Sequence, residues 1–180
     1  GSGSLETSDF ALSISGGTAT LANNSATPTS ISASGNVYTL GIGLSGTPDG
    51  SEVLTVVPVD DGIYDAAGNE ASTTQSNNTA TLIDKVAPII SSTFLALDNT
   101  TIAVTISEAV YNTDGGTGSL DTSDFALSIS GGTATMSRAA PTSISSSGNV
   151  YTLGIGLSGT PDGSEVLTVV PVDDGIYDAA

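Results

Sequence analysis

Apolar and polar residues alternate along several short segments of this chain, which is the pattern of half-buried β-strands. Residues 102–106 place isoleucine or valine at every second position, and residues 10–14 and 40–44 show the same period. The segment 53–59 is almost continuously apolar and predicts a central strand, which Pro58 is expected to end or to bulge. No segment shows helical periodicity, so the pattern predicts an all-β fold.

Clusters of glycine, asparagine, aspartate and proline separate these segments and predict tight turns. Short alternating strands at this spacing are typical of a β-sandwich with Greek-key connections. We name the predicted strands of one unit A to G in their order along a repeat. They are A (88–97), B (100–108), C (9–15 and 124–130), D (29–33 and 142–146), E (36–45 and 149–158), F (52–59 and 165–172) and G (78–83).

Two stretches of the chain are copies of each other. Residues 5–20 and 120–135 are nearly identical, and residues 28–67 match residues 141–180 with a single substitution. The second pair of segments is offset by 113 positions. A period of about 113 residues suits a whole β-sandwich domain and is too long for a solenoid repeat. The sequence therefore predicts tandem β-sandwich repeats of this length.

The two copies cover different parts of the repeat. Residues 68–83 have no counterpart in the second copy, and residues 88–112 have none in the first. We therefore expect residues 1–84 to form a partial repeat that has strands C to G and lacks A and B. Residues 85–180 are expected to form a repeat with strands A to F that lacks the final strand G. This phase predicts that the chain is an interior piece of a longer array.

The composition narrows the choice of partners. Nineteen carboxylates against two basic side chains give a formal net charge of −17. Nucleic acid and anionic membrane surfaces are therefore unfavourable partners, because both attract lysine and arginine. No stretch is long and apolar enough for membrane insertion. Because only 12% of the residues are charged and 38% are hydrophobic, the composition favours a folded chain over a disordered one.

Acidic residues cluster in the loop that follows strand F in each copy. Calcium takes about six to eight oxygen ligands, which carboxylates, amide oxygens and backbone carbonyls supply. Aspartate and asparagine are equally ordinary turn formers, because their side chains accept hydrogen bonds from nearby backbone N–H groups. Both interpretations stay open, although Asn69 follows a glycine and favours the turn. The candidate calcium ligands are Asp60, Asp61, Asp65, Asn69 and Asp84, and in the second copy Asp173, Asp174 and Asp178.

The remaining repeated acidic residues are predicted to have structural roles. In each copy one aspartate lies in a Thr-Pro-Asp-Gly turn, and the glutamate three residues later is expected to be solvated. A further aspartate, which follows a serine, is expected to cap backbone N–H groups. These residues are Asp49, Glu52 and Asp9 in the first copy and Asp162, Glu165 and Asp124 in the second.

The residues needed for catalysis are scarce. The chain has no histidine, no cysteine and no phosphate-binding glycine motif. Without a histidine base or a cysteine nucleophile, the sequence predicts no catalytic residues and no enzymatic activity. Tyr38, Tyr64, Tyr151 and Tyr177 could stack against a glycan, but packing in the core or at sheet edges is the favoured interpretation.

Three short elements carry a family resemblance. Residues 107–110 read Ser-Glu-Ala-Val, residues 65–69 read Asp-Ala-Ala-Gly-Asn, and residues 83–88 read Ile-Asp-Lys-Val-Ala-Pro. They resemble, in order and spacing, the repeated elements of bacterial Ig-like tandem-repeat domains of large cell-surface and adhesin proteins. The resemblance implies an Ig-like Greek-key β-sandwich, an extracellular location on a bacterial cell, a spacer or adhesive role, and calcium at the junctions between repeats.

Three functions are compatible with these observations. The first is a non-enzymatic stalk, in which neighbouring repeats of the same protein are the partners and calcium stiffens the acidic junctions. The second is a self-assembling extracellular fibre, a homo-polymer in which the incomplete strand sets are filled by strands from other chains. The third is a glycan-binding module. The sequence favours the stalk, with the fibre as the alternative.

Overall fold

The computed structural model describes residues 3–180, and it is all-β as the sequence predicts. The described residues form fifteen β-strands and three single-turn 3-10 helices, with no α-helix among them. Every strand pair in this part of the chain is antiparallel. None of the helices among these residues is long and apolar enough to cross a membrane. The chain divides into two compact units between Val86 and Ala87.

Unit 1 contains seven of the strands in three sheets. The largest sheet has the order β1-β6-β7, and the pairs β2-β5 and β3-β4 form two smaller sheets. Two 3-10 helices, Thr7–Asp9 and Ala22–Asn24, precede β1 and follow β2. The strands are β1 (Phe10–Ser15), β2 (Thr20–Leu21), β3 (Ile31–Ser34), β4 (Val37–Leu40), β5 (Leu44–Ser45), β6 (Val53–Pro58) and β7 (Thr79–Thr81).

Unit 2 contains the other eight strands. Its largest sheet has the order β12-β13-β9-β8, and the pairs β10-β15 and β11-β14 complete it. A 3-10 helix, Thr122–Asp124, leads into β10. The strands are β8 (Ile90–Leu95), β9 (Thr101–Ile106), β10 (Phe125–Ser130), β11 (Thr135–Met136), β12 (Ile144–Ser147), β13 (Val150–Gly154), β14 (Leu157–Ser158) and β15 (Val166–Pro171).

Hydrophobic periodicity correctly located the long strands. In β9 the side chains of Ile102, Val104 and Ile106 are buried and the residues between them are half-buried. Strand β6, the apolar run, is the central strand of its sheet and ends at Pro58. This order is physically expected, because a strand flanked on both sides needs apolar residues along most of its length.

The predicted strand E is interrupted in the structure. In unit 1 it forms β4 and β5, and residues 41–43 between them are not in a strand. The backbone N–H of Gly41 donates to the carbonyl of Ser30 at 2.9 Å, so the chain stays in contact with the segment before β3 after β4 ends. The short strands β2 and β11, each two residues long, were not predicted. Two residues are too few to show a period.

The core of unit 2 draws on two sheets. Val104 from β9 and Leu153 from β13 are fully buried in the four-stranded sheet, and Phe125 from β10 packs against them in the same cluster. The rings of Phe125 and Tyr151 lie 6.0 Å apart between centroids at an interplanar angle of 45°. Tyr151 therefore packs in the core, as the packing interpretation of the tyrosines expects.

Identical sequence segments are covered differently in the two units. Tyr38 on β4 is 40% exposed, whereas its counterpart Tyr151 on β13 is 8% exposed. The difference arises because β13 pairs with β9, and β4 has no corresponding partner within the described part of unit 1. The opposite holds at the other sheet, where β7 flanks β6 but no strand among the described residues flanks the free side of β15. Within the described residues, unit 1 therefore lacks a strand equivalent to β9, and unit 2 lacks a strand equivalent to β7.

Candidate functional site

Asp65, in the acidic loop after β6, acts as a turn cap. Its Oδ1 accepts hydrogen bonds from the backbone N–H groups of Ala67 and Asn69, both at 2.8 Å. Its Oδ2 accepts the side-chain amide of Asn69 at 2.8 Å. The hydrogen bond from the Asn69 side chain, together with those from the backbone, lowers the pKa of Asp65 below its ordinary value. Both carboxylate oxygens thus serve the loop itself.

Asp61 organises the start of the same loop. It adopts a left-handed backbone conformation with φ of 60°, and its Oδ1 accepts the Tyr64 hydroxyl at 2.7 Å. Its backbone N–H donates to Oε1 of Glu70 at 2.6 Å, next to the bridge between Tyr64 and Glu70. The hydrogen bond to Asp61 raises the pKa of Tyr64 to about 12, because ionising the phenol beside a carboxylate is unfavourable.

The other candidate ligands also interact locally or are exposed. Asp84 accepts the backbone N–H of Val86, and Asp178 accepts that of Ala180, at 2.8 and 2.9 Å. Asp174 repeats the left-handed conformation of Asp61, with φ of 55°. Asp60 and Asp173 are exposed.

These carboxylates do not converge on one point. Within residues 3–180 no group of three or more histidine, cysteine, aspartate or glutamate side chains could hold a metal ion. The described residues therefore do not present a preformed calcium site, and their hydrogen bonds favour the turn interpretation. Calcium binding by these residues stays a prediction.

Glu52 was predicted to be solvated, and this prediction is wrong. Its side chain is 0% exposed. Oε1 accepts the backbone N–H groups of Thr18 and Ala19, both at 2.8 Å, and Oε2 accepts that of Asp49 at 3.1 Å. The bond from Ala19 is the main reason why the pKa of Glu52 lies below its ordinary value, and burial opposes it. A charged group is stable here because three main-chain donors replace its water.

Glu165 makes the corresponding contacts in unit 2 and is half-buried, so the prediction that its side chain is solvated is also wrong. Its Oε1 accepts the backbone N–H groups of Thr133 at 2.9 Å and Ala134 at 3.0 Å. Its carboxylate also accepts the N–H groups of Asp162 and Gly163, at 3.1 and 3.0 Å. The Ala134 bond contributes most to lowering the pKa of Glu165 to about 2. We call Glu52 and Glu165, with the backbone donors they bind, the glutamate latch of each unit.

The latch explains why glycine occupies the turn after β1 and after β10. A Cβ on Gly17 would lie 2.2 Å from Cδ of Glu52, and one on Gly132 would lie 2.2 Å from Cδ of Glu165. Both glycines also have positive φ, of 58° and 61°. Each latch therefore joins a Gly-Gly turn to a Pro-Asp-Gly turn more than thirty residues away.

The local caps were predicted correctly. Oδ2 of Asp9 accepts the backbone N–H of Glu6 at 2.8 Å, and Oδ2 of Asp124 accepts that of Asp121 at 2.7 Å. Asp49 binds the N–H of Ser51 at 3.0 Å, which is a turn contact. The predictions that rested on neighbours in sequence thus held, and the error concerned a contact between distant loops.

Acid is expected to destabilise unit 2 through Glu165. Folding lowers its pKa from 4.5 to about 2, so its contribution is complete above pH 4.5 and is lost as the pH falls through about 2. Glu165→Gln removes that contribution. We expect a lower melting temperature for unit 2 at neutral pH and a smaller further decrease across the acid range. Thermal unfolding followed by NMR signals of unit 2 measures both effects.

The matched control for this experiment is Asp114→Asn. Asp114 is exposed in a loop, and the substitution removes one negative charge without touching the latch. Its acid profile should follow that of the parent chain. If Glu165→Gln and Asp114→Asn gave the same acid profile, the acid dependence would come from the overall charge of the chain and not from the Glu165 contacts.

The comparisons with known proteins give no match. Neither protein-family models, nor curated proteins, nor solved structures match this chain. Its function is therefore inferred from its own sequence and geometry.

Proposed function

We propose that this chain is a non-enzymatic extracellular structural segment, a stalk or spacer of a bacterial surface adhesin. The observation that carries the proposal is the succession of two near-identical sequence copies, each folded into antiparallel sheets. Residues 82–89 connect the last strand of one unit to the first strand of the next. Repetition of similar modules joined by short connections is how tandem-repeat proteins build length.

We further propose that each repeat is an Ig-like Greek-key β-sandwich of about 113 residues. Support comes from unit 2, where side chains of β9, β10 and β13 share one hydrophobic cluster although β10 belongs to a different sheet. The strand β12 leads directly into its neighbour β13, whereas β9 and β10 are consecutive in the chain but lie in separate sheets. Connections of both kinds occur in Greek-key sandwiches.

The pKa values of the carboxylates support a non-enzymatic role, with the exception of Asp124, whose pKa is raised by burial. A general acid or base works best with a pKa near the working pH. Hydrogen bonds from the main chain or from neighbouring side chains instead lower the pKa values of Asp65, Asp98, Asp121 and both latch glutamates. These groups are held ionised, which stabilises turns and leaves them poorly suited to proton transfer.

The fibre is the alternative function, and the unpaired edges of β4 and β15 are the observation that favours it. The number of strands weighs against a polymer of this chain alone. Residues 3–180 contain one β7, which pairs with β6 and could also fit β15. They contain one β8-β9 hairpin, which pairs with β13 and could also fit β4. Exchange between identical chains would therefore fill one edge only by uncovering another, with no net gain of paired strands.

The test of the stalk is light scattering and thermal unfolding of the chain, run with millimolar calcium and again with EDTA. We expect a monomer in both conditions. A lower melting temperature in EDTA would add calcium-stiffened junctions to the proposal, by linkage of metal binding to folding. An unchanged one would leave the carboxylates as turn caps. A large oligomer that ignores EDTA would contradict the stalk and favour the fibre.

A further inference from the structure

Unit 2 carries a sheet edge that is apolar and unpaired. Strand β15 pairs with β10 on one side, and no strand among the described residues pairs with its other side. Val166 and Val170 on this strand are 61% and 47% exposed. Unpaired backbone groups next to exposed valines are the features of an edge that accepts another strand.

Unit 1 shows which strand fits this edge. Strand β6 has the same sequence as β15, and β7 pairs with it antiparallel in the register Val53 with Thr81 and Leu54 with Ala80. The N–H of Val56 donates to the carbonyl of Asn78 at 2.9 Å. Through the alternation of antiparallel ladders, the corresponding groups of β15, including the N–H of Val169, face its free side.

A cavity of about 330 Å³ lies beside this edge and is lined in part by Pro161, Gly163, Glu165 and Leu167. The counterparts of these four residues in unit 1 are Pro48, Gly50, Glu52 and Leu54, and all four lie against the segment 80–85.

The contacts in unit 1 are specific. The carbonyl of Pro48 accepts the N–H of Lys85 at 2.9 Å, and that of Glu52 accepts the N–H of Leu82 at 3.0 Å. A Cβ on Gly50 would lie 3.3 Å from Cβ of Asp84, whereas one on Gly163 would meet no described atom within 4 Å. The part of the cavity wall formed by these four residues in unit 2 thus corresponds to the surface that this segment covers in unit 1.

The charge of the segment also suits the edge. Residues 78–85 contain one acidic and one basic side chain, Asp84 and Lys85, and therefore carry no net charge, in a chain whose net charge is −17. A neutral strand can approach this acidic protein without repulsion. In unit 1 the side-chain amide of Asn78 adds a hydrogen bond to the carbonyl of Val56 at 2.8 Å, which helps to fix the register.

We propose that the free edge of β15 and the adjacent cavity form an acceptor groove for an unpaired strand with the sequence of residues 78–85. The strand binds antiparallel, with its Thr81 position opposite Val166 and its Leu82 and Asp84 positions at the cavity. This inference does not depend on the stalk, because it concerns only which strand the edge recognises. A strand already held on β6 gains nothing by moving, so the occupant is a free segment.

The register is tested by disulfide trapping with a synthetic peptide of residues 76–86 that carries Thr81→Cys. The chain has no cysteine, so Val166→Cys introduces a single thiol. We expect this pair to cross-link at least about tenfold faster than the same peptide with Thr168→Cys, which lies two residues out of register and beyond disulfide reach. Equal rates at both positions would overturn the proposal. Val53→Cys measures any exchange into unit 1, where the edge is already covered.

The edge itself is tested by binding of the unmodified peptide, labelled with a fluorophore. Val169→Pro removes the outward N–H and is compatible with an edge strand, whereas Val169→Thr keeps it. We expect one peptide per chain, and a loss of affinity of about tenfold or more for Val169→Pro relative to Val169→Thr. A peptide N-methylated at Ala80 should lose affinity on the unchanged protein, which tests the ladder even if the proline variant misfolds.

Two results would contradict the groove. One is the absence of saturable binding, or equal binding by a scrambled peptide. The other is a chain that forms dimers or larger species without peptide and loses them in Val169→Pro, because the occupant would then be a second copy.

Discussion

Replacing Phe125 with alanine is expected to lower the free energy of unfolding of unit 2 by about 3–5 kcal/mol, the usual loss for a buried aromatic residue. Phe125 is 1% exposed and packs in one cluster with residues of β9 and β13, near the ring of Tyr151. The alanine would leave a cavity among residues that are held by two sheets and cannot close around it. Most of the stability of unit 2 would be lost.

The first copy supplies the matched control for this substitution. Phe10 occupies the corresponding place in the nearly identical segment and also packs beside a tyrosine, Tyr38, at 6.2 Å. It is only half-buried, because unit 1 has no counterpart of β9 within its described residues. Phe10→Ala should therefore cost about half as much or less. Urea unfolding followed by NMR signals of each unit measures both values. Equal losses would contradict the inference that β9 covers Phe125 and that no strand among the described residues covers Phe10 in the same way.

The second large effect is expected from Gly17→Ala. The new Cβ would overlap the side chain of Glu52, which is buried and held by three backbone N–H groups. Either the turn or the carboxylate must move, and the hydrogen bonds of the latch are lost together. Since buried donors without a partner are costly, we expect unit 1 to lose at least twice as much stability as in the control variant.

The control is Gly35→Ala. Gly35 has φ of 61°, close to the 58° of Gly17, but a Cβ there would meet no described atom within 4 Å. Its substitution should cost about 1 kcal/mol from the left-handed conformation alone. Gly132→Ala and Gly148→Ala form the same comparison in unit 2. If both members of a pair lose equal stability in chemical denaturation, the latch does not hold the turn.

Much of the fold could be predicted because its signals are local. The alternation in residues 102–106 gave the buried face of β9, and the apolar run 53–59 gave a central strand in unit 1. The same run is an edge strand in unit 2, although its sequence is unchanged. The position of a strand in a sheet depends on which other segments are present, and a window of sequence does not contain that information.

The site shows the same division between local and distant contacts. Asp9 and Asp65 cap backbone groups two to four residues away, and turn chemistry predicts such contacts. Glu52 lies in a polar turn and would ordinarily be solvated. Its burial depends on donors of a loop more than thirty residues earlier, which only the folded chain brings to it. The only sequence signal for this contact was that a Gly-Gly turn and a later glutamate occur together in both copies.

The most direct test of this account is residue-resolved amide hydrogen exchange by NMR, comparing Val56 with Val169. The two amides lie in identical sequences, so their intrinsic exchange rates are the same. The N–H of Val56 donates to the carbonyl of Asn78, just before β7, whereas that of Val169 faces the free edge of β15. We predict that Val56 is protected, and that Val169 exchanges near the intrinsic rate until the peptide of residues 76–86 is added. Equal protection of the two amides in the free chain would contradict the account.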